Sequence, residues 1–219
     1  MTMSGPADGM TTGGVGGEGI FAHPTGRRSD RIHEAVLRAT EELLREGGLP
    51  AATVDAIAAR TGVSKATVYK HWPCRTAVAA EAFGRMMADA LPLPDTGNAV
   101  GDLTAQLRQV SAFYASPYGH IFAQLLAACV DDPKGAAYFR EYFLAGRRRA
   151  IAQLWQRAAD RGETRPGIDA ETATDILFGP LVFRLLTRHQ PLTDAEANKL
   201  AAAAIPALLL PTPPTPPAG

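Results

Sequence analysis

Hydroxyl, cationic and phenolic side chains crowd one stretch of the chain, Thr53 to Arg75, which reads T-V-D-A-I-A-A-R-T-G-V-S-K-A-T-V-Y-K-H-W-P-C-R. Short hydroxyls and a phenol suit hydrogen bonding to base edges, and lysine and arginine suit phosphate, so the set has the chemistry of a duplex-DNA contact. It is not the chemistry of catalysis. His23, His33, His71, His120 and His189 have no Ser, Cys or carboxylate at a spacing that suggests a catalytic set, so no enzyme activity is expected. Cys74 and Cys129 stand 55 residues apart with no His at ligand spacing from either, which gives neither a disulfide framework nor a metal site, and no cofactor is implied.

Two short helices must position these groups. Thr53 can cap the first, with Asp55 in its first turn, and Ile57 and the small Ala58 then face inward at a close crossing. Gly62 sits where a helix ends in positive φ, Val63 packs beneath the turn, and Ser64 can cap the second helix. Val68 and Trp72, four apart, point together to the core. By elimination Lys65, Thr67, Tyr69, Lys70 and His71 project outward. Pro73 stops the helix, and Cys74 and Arg75 open the next, whose N-terminal amides and Arg75 could hold a phosphate. The plainer reading of the same pattern is an ordinary helical hairpin with a solvated face.

Charge favours the DNA reading. The chain's formal charge is zero, yet residues 27–75 hold nine Lys or Arg against six acids, while residues 76–219 hold thirteen against fourteen. The remaining chain reads as helix throughout. A first helix runs from about Ser29 to Gly47-Gly48, with Ile32, Ala35, Val36, Ala39 and Leu43 on one face. Later helices span about Cys74 to Leu91, Asn98 to Pro117, Ile121 to Asp132, Lys134 to Arg161, Asp169 to His189 and Thr193 to Leu209. Residues 1–26 are Gly-rich and expected to be disordered, and the tail 211–219 is Pro-rich and expected to be extended. No segment alternates as a strand, so the fold class is all-α with about nine helices. The start of the chain lacks a basic run and an apolar core, and Leu200 to Leu210 is too short to span a bilayer, so a soluble, cytoplasmic protein without membrane contact is expected.

The 53–75 stretch resembles the TetR family of bacterial transcriptional regulators, whose pattern here reads approximately T-hydrophobic-x-x-I-A-x-x-A-G-V-S-x-x-T-hydrophobic-Y-x-H-F-x-S-K. The match falls on Thr53, Val54, Ile57, Ala58, Gly62, Val63, Ser64, Thr67, Val68, Tyr69 and His71; the departures are Thr61 for Ala, Trp72 for Phe, Cys74 for a capping Ser or Asn, and Arg75 for Lys. More loosely, Arg161 to Leu186 also looks like the C-terminal part of many such regulators.

The resemblance implies a helix-turn-helix DNA-binding domain over residues 27–75 and a helical effector-binding and dimerisation domain over 76–210, joined by the fourth helix. It implies a homodimer on double-stranded DNA bearing an inverted-repeat operator, a repressor in the family's usual mode, released by an unknown small-molecule effector. Thr67, Tyr69 and Lys65 are the expected groove and backbone contacts, with Ser64 at the start of the same helix and Thr53, Lys70, His71 and Arg75 on phosphates. The last two helices are expected to pair across the dimer through Leu177, Leu181, Leu185, Leu200, Ala201, Ala204, Ile205 and Leu208. Among the body's apolar and aromatic residues, Met87, Phe113, Phe122, Tyr138, Trp155 and Phe178 are expected to line the effector cavity, while Arg147-Arg148-Arg149 reads as a solvated face. The alternative is a helical small-molecule binding protein with a vestigial DNA head.

Overall fold

Glycine, proline and capping residues divide the chain into helices. The computed structural model describes residues 26–211; apart from Gly26 and Pro211, the expected disordered leader and extended tail lie outside the described residues. The elements are α1 (Arg27–Ala51), α2 (Val54–Thr61), α3 (Lys65–His71), α4 (Arg75–Ala90), α5 (Ala99–Ala115), α6 (Pro117–Asp131), α7 (Pro133–Phe139), a π-helical turn (Arg140–Leu144), α8 (Ala145–Asp160), α9 (Ala170–Thr187) and α10 (Asp194–Leu208). Since α7 runs into α8 through the π turn without leaving helical backbone, the described residues hold nine helices, and the fold is all-α. Their one extended pairing is an isolated bridge between Thr164 and Leu209. No helix among them is long and apolar enough to cross a membrane.

Side-chain caps start most helices: Thr53 accepts from the Ala56 amide, Ser64 from Thr67, Asn98 from Gly101, Asp169 from Thr172 and Thr193 from Glu196. Cys74 makes no such bond at the start of α4, as expected of a thiol. The first helix differs from the sequence reading in passing its glycine pair. Gly47 and Gly48 leave helical geometry, Gly48 at φ 66 and ψ −161, and a further turn carries the chain through Pro50 to Ala51. A Cβ on Gly48 would lie 2.4 Å from Oε1 of Gln124 in α6, the same oxygen that accepts from the Leu49 amide at 2.8 Å. That side chain therefore ties the end of α1 to α6.

Helix α4 is the shaft of the molecule. Ala77, Val78, Ala79, Ala80, Ala82, Phe83, Met86 and Met87 are all buried, on every side of it, and the run of alanines lets its neighbours come close. Gly84 marks the tightest approach: a Cβ there would stand 2.9 Å from the Tyr142 carbonyl in the π turn.

Two expectations about the last helices need correction. Leu177, Leu181, Ala201, Ile205 and Leu208 are buried within the subunit, Leu181 at 1 % exposure, and so belong to its core. The apolar residues left in solvent on α9 are Ile176, Phe183 and Leu186, with Phe183 60 % exposed. Helix α9 is apolar on more than one side, so periodicity alone could not say which stripe faces inward.

Asp102 joins the start of α5 to the end of α8. It is 1 % exposed and accepts from the Thr96 amide at 2.6 Å and the Thr96 hydroxyl at 2.9 Å, with Arg161 at 3.4 Å and Arg157 at 3.7 Å. Burial pushes its pKa up, but the Thr96 donors and the two arginines outweigh burial and hold the carboxyl below the usual aspartate range. A depressed folded pKa gives stability that is present above the unfolded value and is lost as pH falls through the folded one. Thermal melts from about pH 7 down to about pH 3 should show this loss, starting near the ordinary aspartate value of about 4. Asp102→Asn should melt lower than wild type at neutral pH and converge with it in acid; parallel curves would remove Asp102 from the acid sensitivity.

Candidate nucleic-acid interface and its linked cavity

The α2–α3 unit is built as its residues dictate. Thr53 Oγ1 lies 3.1 Å from the Ala56 amide, Gly62 takes φ 70, and Ser64 Oγ lies 3.2 Å from the Thr67 amide. Thr61, the first departure from the family pattern, accepts from the Val63 amide at 3.2 Å and donates to the Ile57 carbonyl at 2.8 Å, so its hydroxyl braces the turn. Val68 and Trp72 are buried beneath α3, as their spacing requires.

On the outer side, Tyr69 is 51 % exposed, Lys65 and Lys70 are exposed, and Thr67 is half-buried with its hydroxyl 2.8 Å from Ser64 Oγ. Lys65 is ion-paired with Asp55, which raises its pKa. Arg75 stands exposed at the first position of α4. Thr53 and Ser64 are present at the edges of the unit, but their hydroxyls are occupied as caps.

His71 is the exception, being only 6 % exposed. Its Nε2 lies 3.4 Å from Ser29 Oγ, and its ring stacks on Trp72 at 5.3 Å. Three residues beyond Val68, His71 stands at the border of the inner face, and packing against Ser29 and His33 of α1 draws it in, where elimination had put it outside. Its position is still informative, because it brings the start of α1 against the end of α3.

That contact uncovers cations which the sequence reading counted only in the charge balance. Arg27, Arg28 and Arg31 are exposed at the start of α1. Of the nine cations in residues 27–75, Arg38, Arg45, Arg60 and Lys65 are ion-paired to Glu34, Glu41, Glu46 and Asp55. Arg60 holds Glu46 in a two-bond fork at 2.7 and 2.9 Å and so clamps α2 to α1. Arg27, Arg28, Arg31, Lys70 and Arg75 have no ion pair among the described residues and are open to phosphate. Three arginines within five residues at a helix start was the signal.

Behind α3, Glu81 of α4 accepts from Trp72 Nε1 at 2.6 Å and from His33 Nε2 at 2.8 Å, and the His33 and Trp72 rings stack at 4.7 Å. Two turns further along α4, Met87 enters the wall of a cavity of about 250 Å³ in the body. Met87, Phe122 and Phe178 line it as expected; Phe113, Tyr138 and Trp155 do not. Phe113 turns instead to Tyr118 at 4.9 Å and Phe83 at 5.9 Å, Tyr138 stacks on Tyr142 at 6.1 Å, and Trp155 lies buried one turn beyond the lining residue Ile151. The π turn also advances the phase of α7 relative to α8, which brings Phe139, Phe143 and Arg147 to the cavity together. No group of three or more His, Cys, Asp or Glu among the described residues is arranged to hold a metal ion.

Residues 36–82 match the family model described as bacterial regulatory proteins, tetR family, and residues 93–204 match the tetracyclin repressor-like C-terminal domain. The chain belongs to the TetR family. It is 36% identical over 173 residues to the HTH-type transcriptional regulator YdeS of Bacillus subtilis (strain 168), covering 79% of this chain and 87% of that one. Among solved structures it is similar to the TetR family transcription regulator SCO0332, with a TM-score of 0.73 and 34% identity over 78% of this chain and 95% of that one. It is also similar to the flavonoid-responsive regulator FrrA, with a TM-score of 0.57 and 25% identity over 80% and 94% of the two chains. As a TetR-family protein it is a transcriptional regulator with a DNA-binding helix-turn-helix unit.

Geometry divides the TetR-type contacts into two kinds that experiment can separate. Lys70→Ala should weaken binding to all DNA and lower the salt slope by about one phosphate. His71→Ala should leave that slope unchanged and lower the melting temperature, since a stacked, buried ring is removed. A reduced slope for His71→Ala in electrophoretic titrations at several salt concentrations would return His71 to the phosphate contacts.

Proposed function

We propose that the protein acts as a homodimeric repressor that occupies an inverted-repeat operator and is released when a small molecule enters the body cavity. The observation that carries this reading is that one helix serves both places. On α4, Glu81 holds Trp72 behind α3, Gly84 lies against the π turn, and Met87 lines the cavity. A ligand that displaces Met87 or the π turn displaces the support of the recognition helix. Release needs only a differential affinity between two head positions, and couplings of this kind amount to about 1–3 kcal/mol.

In this reading residues 27–75 form the DNA-binding head and residues 76–210 the effector and dimer body. Thr67, Tyr69 and Lys65 meet the groove, Lys65 exchanging Asp55 for DNA at small cost, because exposed pairs are weak. Lys70, Arg75 and the arginines at the start of α1 take phosphates, while Thr53 and Ser64 fix the helix ends. One such unit grips DNA weakly, so two must act together on successive grooves. The exposed apolar residues of α9, Ile176, Phe183 and Leu186, supply a face for the second subunit.

Fragments selected by the protein from random DNA at moderate salt should share a dyad-symmetric sequence, and Thr67→Ala should lose about 1 kcal/mol or more on that site and less on random DNA. A selection that returns no inverted repeat would leave the chain a helical small-molecule binder with an idle head.

For the dimer, sedimentation and circular dichroism should be read together. Phe183→Glu should sediment as a monomer with wild-type helicity, because in an isologous contact the change is felt twice. Leu181→Glu should instead lose helicity, since it buries an unpaired carboxylate in the subunit core. A wild-type chain that is monomeric at micromolar concentration would defeat the dimer.

A further inference from the structure

The body cavity contains a guanidinium that has no ion pair among the described residues. Its wall is mostly aromatic and aliphatic: the Phe122 and Phe143 rings lie 5.2 Å apart, Phe139 and Phe143 5.0 Å, and Tyr114 stacks on Phe122 at 4.9 Å. Into this wall α8 brings Arg147 and Arg148. Arg148 is spoken for, with Asp175 at 2.6 Å and Glu171 also paired to it. Among the described residues Asp175 is the only acid of the wall. Arg147 is half-buried, and its guanidinium has neither an ion pair nor a hydrogen bond among the described residues. Desolvation lowers its pKa, with the Tyr114 phenol oxygen acting the other way. Tyr114 is itself buried in the wall, and its hydroxyl likewise has no hydrogen-bond partner among the described residues. Its pKa is pushed up by burial, so the phenol stays protonated and can donate.

An arginine half-withdrawn from water without a counter-charge costs stability, and an apolar residue of similar length would cost less. A site that keeps such a group is complete only when something negative joins it. A guanidinium offers two parallel donors to a carboxylate, and a neighbouring phenol offers a third. The cavity is small, near the lower end of ligand pockets, and a single net positive charge in its wall matches a single negative one. We propose that the ligand of this cavity is a small organic monoanion, with its carboxylate on Arg147 and Tyr114 and its aromatic or aliphatic body among Phe122, Phe139, Phe143 and Met87. This rests on the cavity being the effector site. It also corrects the expectation that Arg147 to Arg149 form only a solvated face: Arg149 is exposed, Arg148 is paired, and Arg147 turns inward.

The test compares 1-naphthoate with 1-naphthamide, the same ring system with and without the charge, by titration calorimetry on the full chain. The wild type should bind the naphthoate at least about tenfold more tightly, the scale of one charge-assisted hydrogen bond. Arg147→Met should lower naphthoate affinity to that of the amide and leave amide affinity unchanged, and Arg147→Lys should retain part of the preference. Without ligand, Arg147→Met should melt about 2 °C or more above wild type, because the uncompensated charge is gone. Equal affinities of the wild type for both probes, or undiminished naphthoate binding by Arg147→Met, would overturn the anion site while leaving the cavity as a binding site. Failure of both probes to bind the wild type would overturn the cavity reading, and this proposal with it.

Discussion

A single carboxylate holds the DNA-reading end of the molecule together. Glu81 receives the Trp72 indole and the His33 imidazole on its two oxygens, and the two rings stack on each other. Those residues come from three places: α1, the junction after α3, and α4. Short helices such as the seven-residue α3 have little stability of their own, so α3 depends on what packs behind it. Phenylalanine, which the family pattern carries at the Trp72 position, has no N–H to offer this carboxylate. The departure thus has a physical content: the indole adds a directional bond where the ring alone gives only contact. It also extends α4's role from spacer to support, since the helix that carries Glu81 is the one that reaches the cavity.

The parts of this arrangement that were legible in the sequence are those set by local chemistry. Thr53, Gly62 and Ser64 announce the ends of α2 and α3 because capping and positive φ depend on one or two residues. Val68 and Trp72 announce the buried side because four-residue spacing is enough. What was not legible depends on neighbours distant in the chain. His71 sits between the two faces of a two-turn helix, and its contacts with Ser29 and His33 of α1, about forty residues away in the chain, go with the inner side. Along α9, Leu177 and Leu181 were indistinguishable from Phe183 and Leu186 by type, and the packing of α5, α8 and α10 chose between them. The cavity lining was half legible: Met87, Phe122 and Phe178 were named, but the π turn resets the helix phase between Phe139 and Arg147, and residue types do not announce it.

Ion pairing sorts the basic residues more sharply than their number does. The head carries a modest positive excess, yet four of its nine cations are spent on Glu34, Glu41, Glu46 and Asp55. The ones left open lie at the start of α1, at the end of α3 and at the start of α4, and the Ser29 to His71 contact draws the first two of these together. A weakly charged unit can in this way still present a concentrated positive region. In the body the sorting works in reverse, with Arg148 neutralised on the wall and Arg147 left bare inside it.

The link between Gly48 and Gln124 has a mechanical consequence. The helix-turn-helix unit rests on the later helices along α4, against which α1 packs, and again where the Gly48-Leu49 corner meets Gln124 of α6. A displacement of α6 would therefore reach the end of α1 through that side chain, without passing along α4. The absence of a side chain at Gly48 is what sets that corner flush against α6.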